Sequence, residues 1–202
     1  MPPHAVFTYF HLKILNLIII GITGTLGAGK GTIVDYLVKH HHFAHFSVRA
    51  YLSEIIKAQG GEINRDTLVA TANELRAANG PSYIAVELLR EAKESGKNCI
   101  IESIRTIGEV TALREKGGFT LFAVDADQQL RYSRIVERAS ETDKVSFDVF
   151  AANEAREMES NDPNKQNLGA CMQMADFTFI NNNSFTDLYT QIDVALKKIG
   201  FV

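Results

Sequence analysis

Cysteine and net positive charge are both scarce in this sequence, and each scarcity argues against a class of protein. The chain has no tryptophan and only two cysteines among 202 residues. Cys99 and Cys171 cannot build a disulfide framework, and their spacing does not match a metal site. A net charge of −3 and an isoelectric point near 6.1 argue against a general nucleic-acid-binding surface. We therefore expect a protein of the reducing cytoplasm that has no nucleic-acid partner.

The N-terminal residues combine apolar clusters at 6–10 and 14–15 with polar interruptions at His11, Lys13 and Asn16. There is no basic start, no small-residue cleavage site and no uninterrupted run of about twenty apolar residues, so neither a signal peptide nor a membrane partner is expected. We expect residues 1–14 to form an extra strand or a loose arm on the domain. A start codon assigned too far upstream is the alternative.

The glycine-rich stretch 24–32, GTLGAGKGT, carries most of the functional information. It follows the apolar run 17–22 and precedes a helical apolar pattern at 33–38, which is the context that a phosphate-binding loop requires. Glycines let backbone N–H groups turn towards a polyphosphate, and the start of the following helix favours the same anion. Lys30 can then reach the β- and γ-phosphates. The predicted nucleotide-binding residues are Gly24, Thr25, Gly27, Ala28, Gly29, Lys30, Gly31 and Thr32.

The rest of the chain alternates between apolar strands and helical patterns. Nearly continuous apolar runs, such as 98–103, are typical of parallel strands that are covered on both faces. The sequence therefore predicts an α/β fold of three layers, in which a five-stranded parallel sheet is flanked by helices. We expect a single domain over 1–202 with a small helical lid at about 138–165, and ligands at the carboxyl ends of the strands. The predicted strands lie near 17–22, 43–48, 98–103, 119–124 and 177–180.

Charged residues follow two of these strands. Glu102 comes at the carboxyl end of the strand near 98–103, and Arg105 lies in the loop after it. That edge of the sheet would face the phosphates, so the carboxylate would orient Mg²⁺ and the arginine would grip an acceptor phosphate. Arg49, after the second strand, and Arg76, on a following helix, are further candidate acceptor-binding residues. The alternative is a surface acid and solvated arginines.

Three arginines share one face of a predicted helix: Arg131, Arg134 and Arg138. Like charges at this spacing repel one another, so the set needs either compensating acids or an anionic ligand. The candidate acids are Glu137 and Glu141. The polar segment 138–144 follows the helix, and we expect a mobile basic lid that closes over the transferring phosphoryl oxygens.

A histidine-rich tract at 40–45 has the composition of a metal site. No acidic or cysteine partner accompanies it in the sequence. The preferred interpretation is a solvated helix C-terminus, where partly protonated histidine is favourable.

Several stretches together resemble the P-loop nucleotide kinases. Besides the loop at 24–32, they are 73–85, 101–105, 129–138 and 175–182. The form of the loop, in which Gly31 follows Lys30, resembles nucleoside monophosphate kinases. The stretches together are similar to those of the archaeal-type, adenylate-kinase-related predicted nucleotide kinases, with dephospho-CoA kinase as a neighbour. The resemblance covers most of residues 17–198.

This resemblance implies a P-loop NTPase fold and ATP-dependent phosphorylation of a small-molecule acceptor. Asn181 and Asn182, after the last strand, would border the adenine pocket. Arg105 would hold the acceptor, and Arg134 and Arg138 would act as lid arginines. The catalytic residues implied are Lys30, Arg105, Arg134 and Arg138.

Two departures from the family pattern bear on the metal and on the acceptor. Gly31 stands where most P-loops carry the hydroxyl that binds Mg²⁺, so Thr32 and Glu102 are the candidate metal ligands and the ion would rely more on water and phosphates. After the second strand, Ala50 stands where adenylate kinases carry an acid, and Ser47 and Arg49 stand where dephospho-CoA kinases place an aspartate base. Phosphoryl transfer is mostly positioning and charge stabilisation, so a phosphate acceptor tolerates this loss better than a hydroxyl acceptor does.

The preferred function is therefore phosphorylation of a nucleoside or deoxynucleoside monophosphate by MgATP. ATP is preferred to GTP because the sequence has no guanine-reading motif. Two alternatives stay open: a dephospho-CoA kinase-like enzyme, and a regulatory module that binds ATP without transferring phosphate.

Overall fold

The structure is a computed structural model that describes residues 17–138 and 145–201. The expected arm at 1–14, and the part of the expected lid at 139–144, lie outside the described residues. Within the described ranges, strands alternate with helices along the chain. In order they are β1 (Ile19–Gly24), α1 (Lys30–His41), β2 (Ala44–Ser47), α2 (Val48–Ala58), α3 (Arg65–Asn79), α4 (Tyr83–Glu94), β3 (Cys99–Glu102), α5 (Ile107–Glu115), β4 (Phe119–Asp125), α6 (Gln128–Arg138), α7 (Phe147–Met158), α8 (Leu168–Gln173), β5 (Phe177–Ile180) and α9 (Phe185–Lys198).

All five strands are parallel and form one sheet in the order β2-β3-β1-β4-β5. The predicted three-layer α/β architecture is confirmed, and each predicted strand coincides with an observed one. β1 is central, so the loop that leaves its carboxyl end lies between the ends of β3 and β4. This is the edge at which open parallel sheets bind ligands.

The sheet is covered on both faces because successive side chains of a strand point in opposite directions. On β1, Ile19 packs into a cluster beneath α2, α4, α5 and α8, whereas Ile20 and Ile22 pack into a second cluster beneath α1 and α9. The helix α8 has only six residues, too few for a recognisable periodicity, and the sequence pattern does not predict it. None of the helices at 17–138 and 145–201 is long and apolar enough to cross a membrane.

One ion pair is sealed inside the fold. The side chains of Arg76, on α3, and Glu109, on α5, are 2% and 0% exposed, and Nη2 of the arginine lies 2.9 Å from Oε1 of the glutamate. The other carboxylate oxygen accepts the backbone N–H groups of Arg105 at 2.7 Å and Thr106 at 3.0 Å. Glu109 therefore fixes the loop after β3. The predicted acceptor role of Arg76 does not fit this placement, because its charge is neutralised in the core.

We expect Glu109→Ala to lower the free energy of unfolding by about 3–5 kcal/mol, because it strands a buried guanidinium and leaves two loop N–H groups unpaired. Urea denaturation followed by circular dichroism measures this. Arg90→Met is the control: Arg90 pairs with Glu87 and Glu94 on the exposed face of α4, where an ion pair adds little. Equal losses in the two variants would contradict the prediction.

Candidate functional site

The stretch that joins β1 to α1 requires glycine at three positions, 24, 27 and 29, where φ is positive and a Cβ would clash with neighbouring atoms. Gly24 and Gly29 have φ angles of 138° and 109°, which other residues rarely adopt. Neighbouring groups also leave no space for a side chain. A Cβ on Gly24 would lie 2.1 Å from the carbonyl oxygen of Val124, and one on Gly29 would lie 2.4 Å from Nδ2 of Asn181. The predicted phosphate-binding loop is thus packed directly against β4 and the end of β5.

Lys30 begins α1 and turns its side chain back into the loop. Its Nζ donates to the carbonyl oxygens of Gly24 at 2.7 Å and Thr25 at 2.9 Å. Desolvation, followed by the positive charge of Arg105, lowers the pKa of Lys30 from 10.5 to about 7, against the opposing effect of Glu102. An anion bound in the loop would raise the pKa of Lys30 again and restore its positive charge.

Asp125 is a site residue that the sequence reasoning missed. It ends β4, and its carboxylate accepts the hydroxyl of Thr25 at 2.6 Å and its own neighbour's N–H, that of Ala126, at 2.9 Å. The bond to Thr25 ties the second residue of the loop to the adjacent strand. The rule that singled out Glu102, an acid at the carboxyl end of a strand, also applies to Asp125.

Asn181 supports the loop from below. It follows β5, is 3% exposed, and donates from Nδ2 to the carbonyl oxygen of Ala28 at 2.8 Å. Arg134 donates from Nη2 to the backbone oxygen of Asn181 at 2.9 Å. Nη1 of Arg134 and Oδ1 of Asn181 are both buried without a hydrogen-bond partner among the described residues, so this side of the loop has a donor and an acceptor available.

Asn182 lies differently from its neighbour in the sequence. It is exposed, and its Oδ1 accepts the backbone N–H of Asp127 at 2.8 Å, which joins the loop after β5 to the loop after β4. Of the two residues predicted to border an adenine pocket, Asn181 is therefore buried against the glycine loop, and Asn182 is exposed and contacts the loop after β4.

Arg131 differs in its contacts from Arg134 and Arg138, which lie on the same helix α6. It is 4% exposed, forms a bidentate ion pair with Glu154 on α7, and donates to the carbonyl oxygens of Ala126 at 2.7 Å and Leu26 at 3.2 Å. It joins the phosphate loop to α7, and Glu154 supplies its compensating charge. Arg138, the last residue of α6, is exposed.

Glu102 ends β3 next to the loop, as predicted. Its Oε2 lies 3.1 Å from Nε2 of His45 on β2. Burial alone would raise the pKa of Glu102, but the hydrogen bond and charge of His45, with the charges of Lys30 and Arg105, outweigh it and lower that pKa. Glu102 is therefore ionised. Thr32, the other predicted metal ligand, lies half-buried in the first turn of α1.

The residue after Glu102 has strained backbone. Ser103 has a φ angle of 72°, in the left-handed region that a serine rarely adopts. Its N–H and that of Ile104 both donate to the carbonyl oxygen of Ile22 at 3.0 Å, which holds the chain in this turn. The turn leads directly from Glu102 to Arg105 and so sets the relative positions of a carboxylate and a guanidinium.

Arg105 lies beside the loop within an ionic cluster. Its Nη1 donates to Glu157 at 3.0 Å and to Gln166 at 2.7 Å, and the other carboxylate oxygen of Glu157 accepts Nη2 of Arg65. The sequence reasoning missed Arg65, Glu157 and Gln166, because no local pattern links residues so far apart. Arg49, in the first turn of α2, is exposed. Of the predicted acceptor residues, only Arg105 is brought together with Lys30 and Glu102.

The histidine tract divides between two partners. His41 lies 3.2 Å from Asp193 on α9, whereas His45 contacts Glu102 on the neighbouring strand β3. Each of these histidines therefore has an acidic partner that is remote in the sequence, and the two side chains serve different parts of the fold.

Comparisons with known proteins agree with this architecture. A family model described as an AAA domain matches residues 20–162. The UPF0200 protein MJ1399 of Methanocaldococcus jannaschii is 30% identical over 186 residues, which cover 91% of each chain. The crystal structure of TT1252 from Thermus thermophilus superposes with a TM-score of 0.58 at 20% identity, over 90% of this chain and 97% of that one.

A second solved structure, the dephospho-CoA kinase from Campylobacter jejuni, has a TM-score of 0.52 at 16% identity, over 90% of this chain and 96% of that one. At such identities the similarity shows the fold, which is that of P-loop kinases. The match to the family model and the identity to the archaeal relative go further: the chain belongs to the AAA-domain family and to the UPF0200 proteins.

Proposed function

We propose that this protein is a MgATP-dependent kinase whose acceptor is a nucleoside or deoxynucleoside monophosphate. The observation that carries the proposal is the convergence of three groups: Lys30 in the glycine loop, Glu102 at the end of β3, and Arg105 in the loop that follows. A cation for the donor, a carboxylate for a metal and a second cation for the acceptor are the parts that phosphoryl transfer needs.

The donor phosphates would lie in the loop between β1 and α1. Backbone N–H groups of residues 27–32 and the positive end of α1 favour an anion there. Lys30, once protonated, would direct its remaining N–H donor at the β- and γ-phosphates and keep its bonds to the carbonyl oxygens of Gly24 and Thr25. Arg134 and Arg138, on the adjacent helix α6, would then stabilise negative charge that develops on the transferring group.

The residues present fit a magnesium ion. Glu102 is ionised, partly buried and close to Lys30, while Thr32 offers a hydroxyl in the first turn of α1. When bound, the ion supplies charge neutralisation at the phosphate oxygens. His45 holds the Glu102 carboxylate in place through Oε2, so this histidine would fix the orientation of the metal-binding group.

The acceptor side favours a phosphate over a hydroxyl. At the end of β2, Ser47 uses its hydroxyl to cap α2 by accepting the N–H of Ala50 at 3.3 Å, and Arg49 follows it. A base for an alcohol is therefore not supplied from that strand end. Arg105 instead offers a planar guanidinium suited to a phosphate monoester, whose attack on the donor needs little proton removal.

The proposal is tested by incubating the protein with MgATP and a panel of acceptors, and measuring the ADP released. The panel contains nucleoside monophosphates, deoxynucleoside monophosphates and dephospho-CoA. We expect ADP with one class of monophosphate, and a loss of at least about a hundredfold in Lys30→Ala. Lys39→Ala, on the exposed face of the same helix, should leave turnover unchanged. Tight ATP binding without ADP from any acceptor would favour the regulatory module instead.

The lowered pKa of Lys30 predicts that MgATP binding takes up a proton. Lys30 has a pKa of about 7 in the protein alone, so it is mostly neutral at pH 8, and the bound phosphates would recharge it. Titration calorimetry in two buffers of different ionisation enthalpy should show uptake of roughly one proton at pH 8 and far less at pH 6. The same uptake at both pH values would contradict the assignment to Lys30.

Replacing Arg105 tests its role with the acceptor. We expect Arg105→Met to lower kcat/KM for the acceptor on the order of a hundredfold, because a charge-assisted contact to phosphate is lost. The affinity for MgATP, measured separately by calorimetry, should change little. Arg90→Met, exposed on α4, serves as the control for loss of a positive charge. An equal loss of donor and acceptor affinity would show that Arg105 acts on the loop as a whole.

A further inference from the structure

One carboxylate beside the candidate site holds two arginines. Glu157, on the last turn of α7, contacts Nη2 of Arg65 through Oε1 and Nη1 of Arg105 through Oε2 at 3.0 Å. The three side chains come from α7, the start of α3 and the loop after β3. Two cations and one anion leave this cluster with a net positive charge, and Glu157 also lies close enough to Lys30 to affect its pKa.

The cluster differs from the ion pair that the same fold uses for structure. Arg76 and Glu109 are matched one to one and sealed, at 2% and 0% exposure of their side chains. The side chains of Arg65, Arg105 and Glu157 are instead 28%, 24% and 11% exposed. Unlike that sealed pair, both arginines of the cluster are partly accessible to solvent.

We propose that the Glu157 carboxylate occupies the position of the acceptor's anionic group, and that Arg65 and Arg105 form a two-arginine site for a phosphate dianion. The proposed kinase function is needed only to identify the ligand as the acceptor; the anion site itself does not depend on it. Arg65 is a binding residue that no local sequence pattern indicates. Because a ligand must displace the Glu157 carboxylate, it must carry more negative charge than that carboxylate does.

The class of ligand follows from the geometry and charge of the cluster. The two arginines approach different oxygens of one carboxylate from two separate elements, an arrangement that a phosphate reproduces with an oxygen to spare. A dianion would neutralise both guanidinium groups, whereas Glu157 neutralises only one unit of charge. A neutral alcohol would leave both arginines without a counterion if it displaced Glu157. A monoanion would only replace the single negative charge of Glu157 with another. The site therefore selects a phosphate dianion, the group that a phosphate monoester carries.

Inorganic phosphate is a probe for this site that needs no phosphoryl transfer. The Lys30→Ala protein serves as the background, so that the glycine loop contributes little to the binding. In it we expect Glu157→Gln to bind phosphate on the order of tenfold more tightly, measured by calorimetry, because the competing carboxylate is gone. Glu159→Gln is the matched control: it removes the same charge two residues away, from an exposed side chain directly after α7.

A second substitution identifies the arginines. Adding Arg65→Met to Glu157→Gln should abolish the gain in phosphate affinity. Thermal unfolding gives an independent readout, since Glu157→Gln leaves two neighbouring cations without their shared anion. Without phosphate, the melting temperature of the Glu157→Gln variant should be lower than that of the Lys30→Ala background. Added phosphate should raise it again, and both changes should be larger than in Glu159→Gln.

The outcomes separate this inference from the kinase proposal. Phosphate affinity that is unchanged or weaker in Glu157→Gln overturns the inference, even if phosphoryl transfer is found. A gain that survives Arg65→Met also overturns it, because the phosphate then binds elsewhere. If the gain appears and depends on Arg65, the anion site stands, even when the acceptor panel yields no ADP and the kinase proposal fails.

Discussion

The candidate site depends on how the carbonyl groups of the glycine loop are satisfied. Lys30 accounts for the carbonyl oxygens of Gly24 and Thr25, Arg131 for that of Leu26, and Asn181 for that of Ala28. Since protein donors take these oxygens, the N–H groups of the same backbone are the part left to face an anion. The supports come from α1, α6 and the end of β5, so the loop's shape depends on elements spread over most of the chain.

Three arginines around the loop have acidic partners close by, in a chain whose net charge is −3. Arg131 has Glu154, and Arg65 and Arg105 share Glu157, with both acids on α7. Cations held in this way are already oriented, so a ligand need not order flexible side chains. The acids also set a threshold, because any ligand must interact with the arginines better than the glutamates do.

The local parts of this site could be predicted from the sequence, and the long-range parts could not. The glycine loop, the five strands and the position of Glu102 at a strand end follow from short patterns with a fixed physical meaning. Arg76 and Arg131 look like free cations in the sequence, yet both are buried. Arg76 pairs with a glutamate 33 residues later, and Arg131 pairs with one 23 residues later. Helix α8 is too short to show a period, and the Arg65–Glu157 contact joins residues 92 positions apart.

The contact between Asn181 and Ala28 spans 153 residues, and this separation has a consequence for synthesis of the protein. The glycine loop leaves the ribosome early, while the side chain that holds the carbonyl oxygen of Ala28 is made near the end of translation. A nascent chain that stops before residue 181 lacks this support, and it lacks β5 as well if it stops before residue 177. The shape of the glycine loop is thereby tied to completion of the polypeptide.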